Sequence, residues 1–148
     1  MTLAQQLLDY VHAACSGLWL RTSEPDEAER DILQVARQQQ WQVATWDIAQ
    51  GLRLPLAPTA ARPDPAAGDP LAALRALHAL ADPQGTTLLL LHQFHFFLKN
   101  PEVIQATINR LLAGKQQRTF LVVLSPLVAL PVELEKLFVL LEHALPDR

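Results

Sequence analysis

The sequence holds one cysteine, Cys15, among 148 residues. No internal disulfide can form, and a reducing compartment is expected. No apolar run has the roughly 20 residues that a membrane-spanning helix needs. The run 88–98 is too short and is interrupted by His92, Gln93 and His95. The N-terminus lacks the basic segment, apolar stretch and small-residue cleavage site of a secretory leader. These absences point to a cytoplasmic chain with no membrane contact. Excess positive charge is missing as well. The formal net charge is −3, which offers no broad field for nucleic acid. The group Arg110, Lys115 and Arg118 is small and falls near a helix end, where cations suit the dipole. What the chain does have is apolar bulk: 50% of its residues are hydrophobic. That is enough for a core, and the length is that of one domain, residues 1–148.

The apolar bulk is concentrated in Thr86 to Phe97, where Leu88 to Leu91 follow a Pro83-Gln84-Gly85 turn signal. A short continuous apolar run of this kind reads as a strand buried on both faces, the habit of parallel sheets flanked by helices. Phe120 to Ser125 reads the same way. Further strands are expected at Gly17–Arg21, Trp41–Asp47 and Phe138–Leu141. Helical spacing recurs between them. Leu3, Leu7, Leu8 and Val11 form one apolar face, with Thr2 as N-cap and Gly17 as stop. Ser23 and Pro25 open a second helix whose buried stripe is Ala28, Ile32 and Val35. Asp69 and Pro70 open a third, with Leu71, Leu74 and Leu77 or His78 on one face. Asn100-Pro101-Glu102 opens a fourth, with Val103, Ile104, Ile108, Leu111 and Leu112 inward and Gly114 as C-cap. One or two helical turns suit Pro131–Lys136. Strands alternating with helices predict an α/β sandwich of three layers around a mainly parallel five-stranded sheet. A proline-rich stretch at about 52–69, with Pro55, Pro58, Pro63 and Pro65, has no periodicity and predicts a long mobile loop.

Several strings resemble a known family. Thr45-Trp46-Asp47 with Gly51-Leu52, Leu91 to Leu98 with Asn100-Pro101-Glu102-Val103, and Leu124-Ser125-Pro126 with Leu130 to Glu135 carry the likeness. So does Ala144-Leu145-Pro146-Asp147-Arg148. Together with the element order they resemble the N-terminal, degenerate ATPase-like domain of AAA family ATPases of the cyanobacterial and plastid type. The likeness runs from about Leu18 onward. It implies a P-loop NTPase-like topology and a complete AAA domain as partner, in cis beyond residue 148 or in trans.

The chain departs from a working ATPase at both motifs. A phosphate-binding loop needs glycines for close backbone approach and a lysine for the phosphates. The segment after the first strand, Thr22 to Glu27, has neither, and Pro25 removes a backbone donor. Glu24, Asp26 and Glu27 place negative charge where triphosphate would sit. The Leu88 strand ends in His92 and Gln93, where a P-loop enzyme has carboxylates for magnesium. No catalytic residue, cofactor or metal site is therefore expected. His92 and His95 lack a third ligand nearby in sequence. Cys15 beside His12 reads as an inert thiol, and Trp19, Trp41 and Trp46 as core or sheet-edge packing. The acids Glu24, Asp26, Glu27, Glu29 and Asp31 read as a solvated helix start, with a docking patch as the alternative.

Two readings of function remain. The first is a non-catalytic interaction or assembly module of an AAA ATPase, with a protein partner and self-association through Leu3, Leu7, Leu8 and Val11. The second is a small-molecule or nucleotide-binding domain, or an enzyme of unrecognised type, with a pocket at the strand ends made by Thr22, Ser23, Asp47, His92 and Ser125.

Overall fold

The computed structural model describes residues 2–56 and 68–143. Its elements in chain order are α1 (Leu3–His12), β1 (Gly17–Arg21), α2 (Pro25–Gln39), β2 (Gln42–Asp47), β3 (Gly51–Arg53) and α3 (Pro70–Leu80). They continue with β4 (Thr87–His92), a 3-10 turn (Phe94–Phe97), α4 (Pro101–Gln117), β5 (Thr119–Ser125), a second 3-10 turn (Val132–Leu134) and β6 (Val139–Glu142). The strands form one sheet in the order β3-β2-β4-β5-β1-β6. All neighbours are parallel except β2 and β3. This is the three-layer α/β architecture expected, with a mostly parallel, P-loop NTPase-like sheet.

Alternation along the central strands sorts the core into two halves. In β4, Leu88 and Leu90 face one side, and Leu89 and Leu91 the other. In β5, Phe120, Val122 and Leu124 oppose Leu121 and Val123. All of them are buried, so a continuous apolar run is required and a polar alternate would have no solvent to meet. Helices α1 and α2 cover the first face, and α3 and α4 the second. On the second face Trp19 meets Phe138 edge-on, and Trp46 meets Phe94 and Phe97 likewise.

The sheet has six strands rather than five. The extra strand, β3, lies inside the stretch predicted as loop. Asp47 creates it: its Oδ1 accepts from the backbone N–H of Ala49 and Gln50, turning the chain back onto β2. Most of that predicted loop, residues 57–67, lies outside the described residues, as does the segment Ala144–Arg148.

The face predicted for self-association is part of the core. Leu7 and Val11 are fully buried against Leu18, Ile32 and Val35, with Leu3 and Leu8 packed at the margin. A helix is about 10 Å across and strands lie about 4.8 Å apart, so α2 alone covers about two strands of that face. The first helix completes the layer.

Helix ends also differ from expectation. The first helix closes on Ala14 in the left-handed region (φ 58°), not on Gly17. Gly17 opens β1 because a Cβ there would overlap the Leu137 carbonyl and Leu111. Gly114 is interior to α4, which ends on left-handed Arg118 (φ 55°). A Cβ on Gly114 would overlap the Thr119 carbonyl oxygen, so the glycine permits close approach of helix and strand. Leu112, predicted inward, is exposed. At α2 the cap is not Ser23. Helix α2 starts at Pro25, and the hydroxyl that meets the backbone N–H of Glu24 belongs to Thr22.

Candidate functional site at the carboxyl edge of the sheet

In open parallel sheets, ligands sit outside the carboxyl ends of the strands. The strand order puts Asp47, His92, Ser125 and Thr22 along that edge in this sequence, at the ends of or just after β2, β4, β5 and β1. Four of the five residues expected to line a pocket are thus on one edge. Ser23 is also nearby in the chain but is exposed and has no side-chain hydrogen bond among the described residues.

The four do not converge on one space. Each is drawn into a separate local arrangement. Asp47 shapes the β2–β3 turn and pairs with Arg53 at 3.2 Å. His92 Nε2 donates to Glu29 Oε1 at 2.7 Å, and the same oxygen accepts from Thr45 Oγ1 at 2.6 Å. Ser125 Oγ donates to the Leu127 carbonyl at 2.7 Å and meets His95 Nδ1 at 3.0 Å. Thr22 Oγ1 accepts from the Glu24 backbone N–H at 3.0 Å and meets His143 Nδ1 at 2.8 Å. On the far side of that ring, Nε2 lies 3.5 Å from Asp31.

In the His92–Glu29–Thr45 arrangement, Thr45 is fully buried and the His92 and Glu29 side chains are largely so. Glu29 reaches the sheet from the second turn of α2, beside the buried stripe of Ala28 and Ile32. Its carboxyl is held below the ordinary range, chiefly because the His92 ring donates to it, with Thr45 and the Arg53 charge adding to the effect; burial opposes them. Beside Ser125 at the carboxyl end of β5, burial pushes the His95 imidazole down.

Sequence reasoning placed Glu29 on a solvated acidic surface. The signal for its true position was its spacing: Glu29, Ile32 and Ala36 fall at i, i+3 and i+7, which sets the acid on the apolar stripe. His143 was missed because its partner, Thr22, is 121 residues away in the chain. His92 and His95, which sequence spacing could have paired, point to different partners. Among the described residues, no three His, Cys, Asp or Glu side chains are grouped to hold a metal ion.

Thr22, His143 and Asp31 make a hydroxyl–imidazole–carboxylate chain that resembles a nucleophile, base and orienting acid. Its chemistry is restricted by burial. Thr22 is 3% exposed, and its oxygen already accepts the Glu24 N–H. Ser125 beside His95 is fully buried and hydrogen-bonded to the Leu127 carbonyl. Neither hydroxyl has an open approach for an electrophile. Among the described residues, cavities of about 250 to 330 Å3 open elsewhere, and these are not lined by Thr22, Asp47, His92 or Ser125.

The connection from β1 to α2 is three residues, Thr22 to Glu24, followed directly by Pro25. A family model, the SpoVK-like AAA ATPase N-terminal domain, matches residues 3–143. The chain belongs to that family. Comparison with curated proteins and with solved structures gave no match. The described part of this AAA ATPase N-terminal domain includes no helix long and apolar enough to cross a membrane.

Proposed function

We propose that this AAA ATPase N-terminal domain is a non-catalytic interaction or assembly module. The observation that carries the reading is the pairing at the carboxyl edge. Side chains that would face a ligand there bind one another or the adjacent backbone instead.

The local chemistry agrees. A phosphate cradle is built from successive backbone N–H groups and a lysine. The three-residue β1–α2 connection has no glycine or lysine, and proline follows it at the first helical position. Glu24, Asp26 and Glu27 oppose an anion at the helix start. Gln93, at the end of β4, takes the left-handed conformation (φ 56°) and sends its N–H to the Leu124 carbonyl, closing the edge beside His92. A domain in this state acts through its surface. The partner that fits is the complete AAA ATPase module, linked in cis or supplied in trans.

The test has two arms. Magnesium–ATP and magnesium–ADP are titrated against the chain by calorimetry, and the complete ATPase module is titrated in the same way. Saturable binding of the module without nucleotide binding is the expected outcome. Micromolar nucleotide affinity that is lost on His92→Ala or Thr22→Val would overturn the reading in favour of a nucleotide-binding domain.

A further inference from the structure

Away from the carboxyl edge, α3 and α4 pack side by side on one face of the sheet and leave a cleft of about 310 Å3 between them. Helical spacing builds it. Leu71, Leu74, Arg75 and His78 fall at i, i+3, i+4 and i+7 along α3, and Ala106 and Arg110 one turn apart along α4. Leu71, Leu74 and Ala106 form an apolar floor. Arg75 and Arg110 reach it from opposite helices, and no carboxylate lines it.

Arg75 and Arg110 differ from Arg21 and Arg53 in having no carboxylate partner, a state that Arg30, Arg37 and Arg118 share among the described residues. Arg21 and Arg53 each pair with a carboxylate. Among the described residues, Arg75 and Arg110 are in no ion pair; Arg110 makes a long contact of 3.5 Å to the Gln117 amide oxygen. In a chain of net charge −3, two cations without a carboxylate converge on one apolar cleft. A guanidinium is suited to bidentate binding of a carboxylate, and arginine is enriched where protein partners meet.

We propose that the α3–α4 cleft docks an acidic segment of a protein partner. An apolar side chain of the segment enters between Leu71, Leu74 and Ala106, and flanking carboxylates pair with Arg75 and Arg110. The cleft's size is at the small end for ligand pockets, about 300–1,000 Å3, which suits an inserted side chain. Two cations are too few for a nucleic-acid backbone, which calls for a broader basic field. The inference rests on the reading that the domain works by protein contact, and it adds a location and a partner chemistry.

The test is a nuclear magnetic resonance titration of the isotopically labelled full chain. One probe is the peptide Glu-Glu-Leu-Phe-Glu-Glu, a second is its analogue with Gln for every Glu, and a third is octanoate. The acidic peptide should shift amides of 71–78 and 106–110 saturably, and more weakly at high salt. The variant Arg75→Glu/Arg110→Glu should weaken it about tenfold or more while the remaining amides keep their positions, which controls for folding.

Five results overturn the proposal: no saturable shift, shifts centred elsewhere, equal binding of the Gln analogue, unchanged affinity of the double variant, or a response to octanoate without one to the peptide. Self-association by sedimentation that the double variant abolishes would make a second copy the occupant and also overturn it. Amide shifts at Thr22, His92 and Ser125 on adding magnesium–ATP would count against the functional reading instead, so the two failures are distinguishable.

Discussion

Replacing Glu29 should destabilise the domain through a pair of hydrogen bonds at the carboxyl edge. One carboxylate oxygen accepts from both Thr45 Oγ1 and His92 Nε2. Thr45 is fully buried, so its hydroxyl has no water to turn to. Hydrogen bonds to a charged group contribute about 1.5–3 kcal/mol, and a buried polar group left unpaired costs about 1–3 kcal/mol. These contributions share an acceptor and overlap. For Glu29→Ala we expect a loss of about 3 kcal/mol. Glu29→Gln keeps an amide oxygen for Thr45 and gives up the charge, for about 1 kcal/mol. Urea unfolding followed by tryptophan fluorescence reads both, since Trp19 and Trp46 are buried. With a slope of about 2 kcal/mol per molar urea, Glu29→Ala should move the midpoint by about 1.5 M.

The pH dependence has a definite sign. The folded-state pKa of Glu29 is depressed below its ordinary 4.5. Near that value the unfolded chain therefore binds more protons than the folded one, and stability rises with pH. The contribution is present above 4.5 and is lost as pH falls through the lower folded value. The stability gap between the native chain and Glu29→Gln should accordingly shrink as pH falls below 4.5. Comparing the two proteins removes the contribution of His95. That group is also depressed, so its contribution is lost as pH falls below its ordinary 6.5. Glu29→Ala within about 0.5 kcal/mol of the native chain, or a gap that stays constant on acidification, would refute the reasoning.

Two further outcomes test the packing. Gly114→Ala would gain about 1 kcal/mol from helix propensity alone. Because the new Cβ overlaps the Thr119 carbonyl, a net loss of about 1–3 kcal/mol is expected, and a raised thermal midpoint would show that helix and strand can part. Leu7→Ala should cost about 2–5 kcal/mol, and removal of residues 2–12 should abolish cooperative unfolding, because Leu7 and Val11 belong to the core. A truncated chain that still melts cooperatively would return α1 to the periphery.

Much of the scaffold was readable from local chemistry. Continuous apolar runs at Leu88 and Phe120 indicated strands buried on both faces, and both are central. Asp69-Pro70 and Asn100-Pro101 marked helix starts, and both side chains cap as expected, Asp69 at the N–H of Leu71 and Asn100 at that of Glu102. Strand β3 was hidden because its cause is one side chain, Asp47, holding two backbone donors over a three-residue strand. The glycines were misread for a related reason. Gly17 and Gly114 look like helix stops in sequence, yet each is required by a neighbour distant in the chain or across a turn: Leu137 for one, Thr119 for the other.

By itself the sequence determined the class of fold and that the segment after β1, Thr22 to Glu27, has no glycine or lysine. The class of fold follows from short-range rules, side-chain periodicity and caps. Only the tertiary structure decided what the strand-end residues do. Thr22, His92 and Ser125 sit on neighbouring strands, and sequence alone leaves them as a pocket. Their partners are His143, Glu29 and His95, which lie 121, 63 and 30 residues away. Whether a polar group faces a ligand or another side chain depends on distances of about 3 Å. Such distances are set by how helices pack on the sheet, and periodicity along the chain does not encode them.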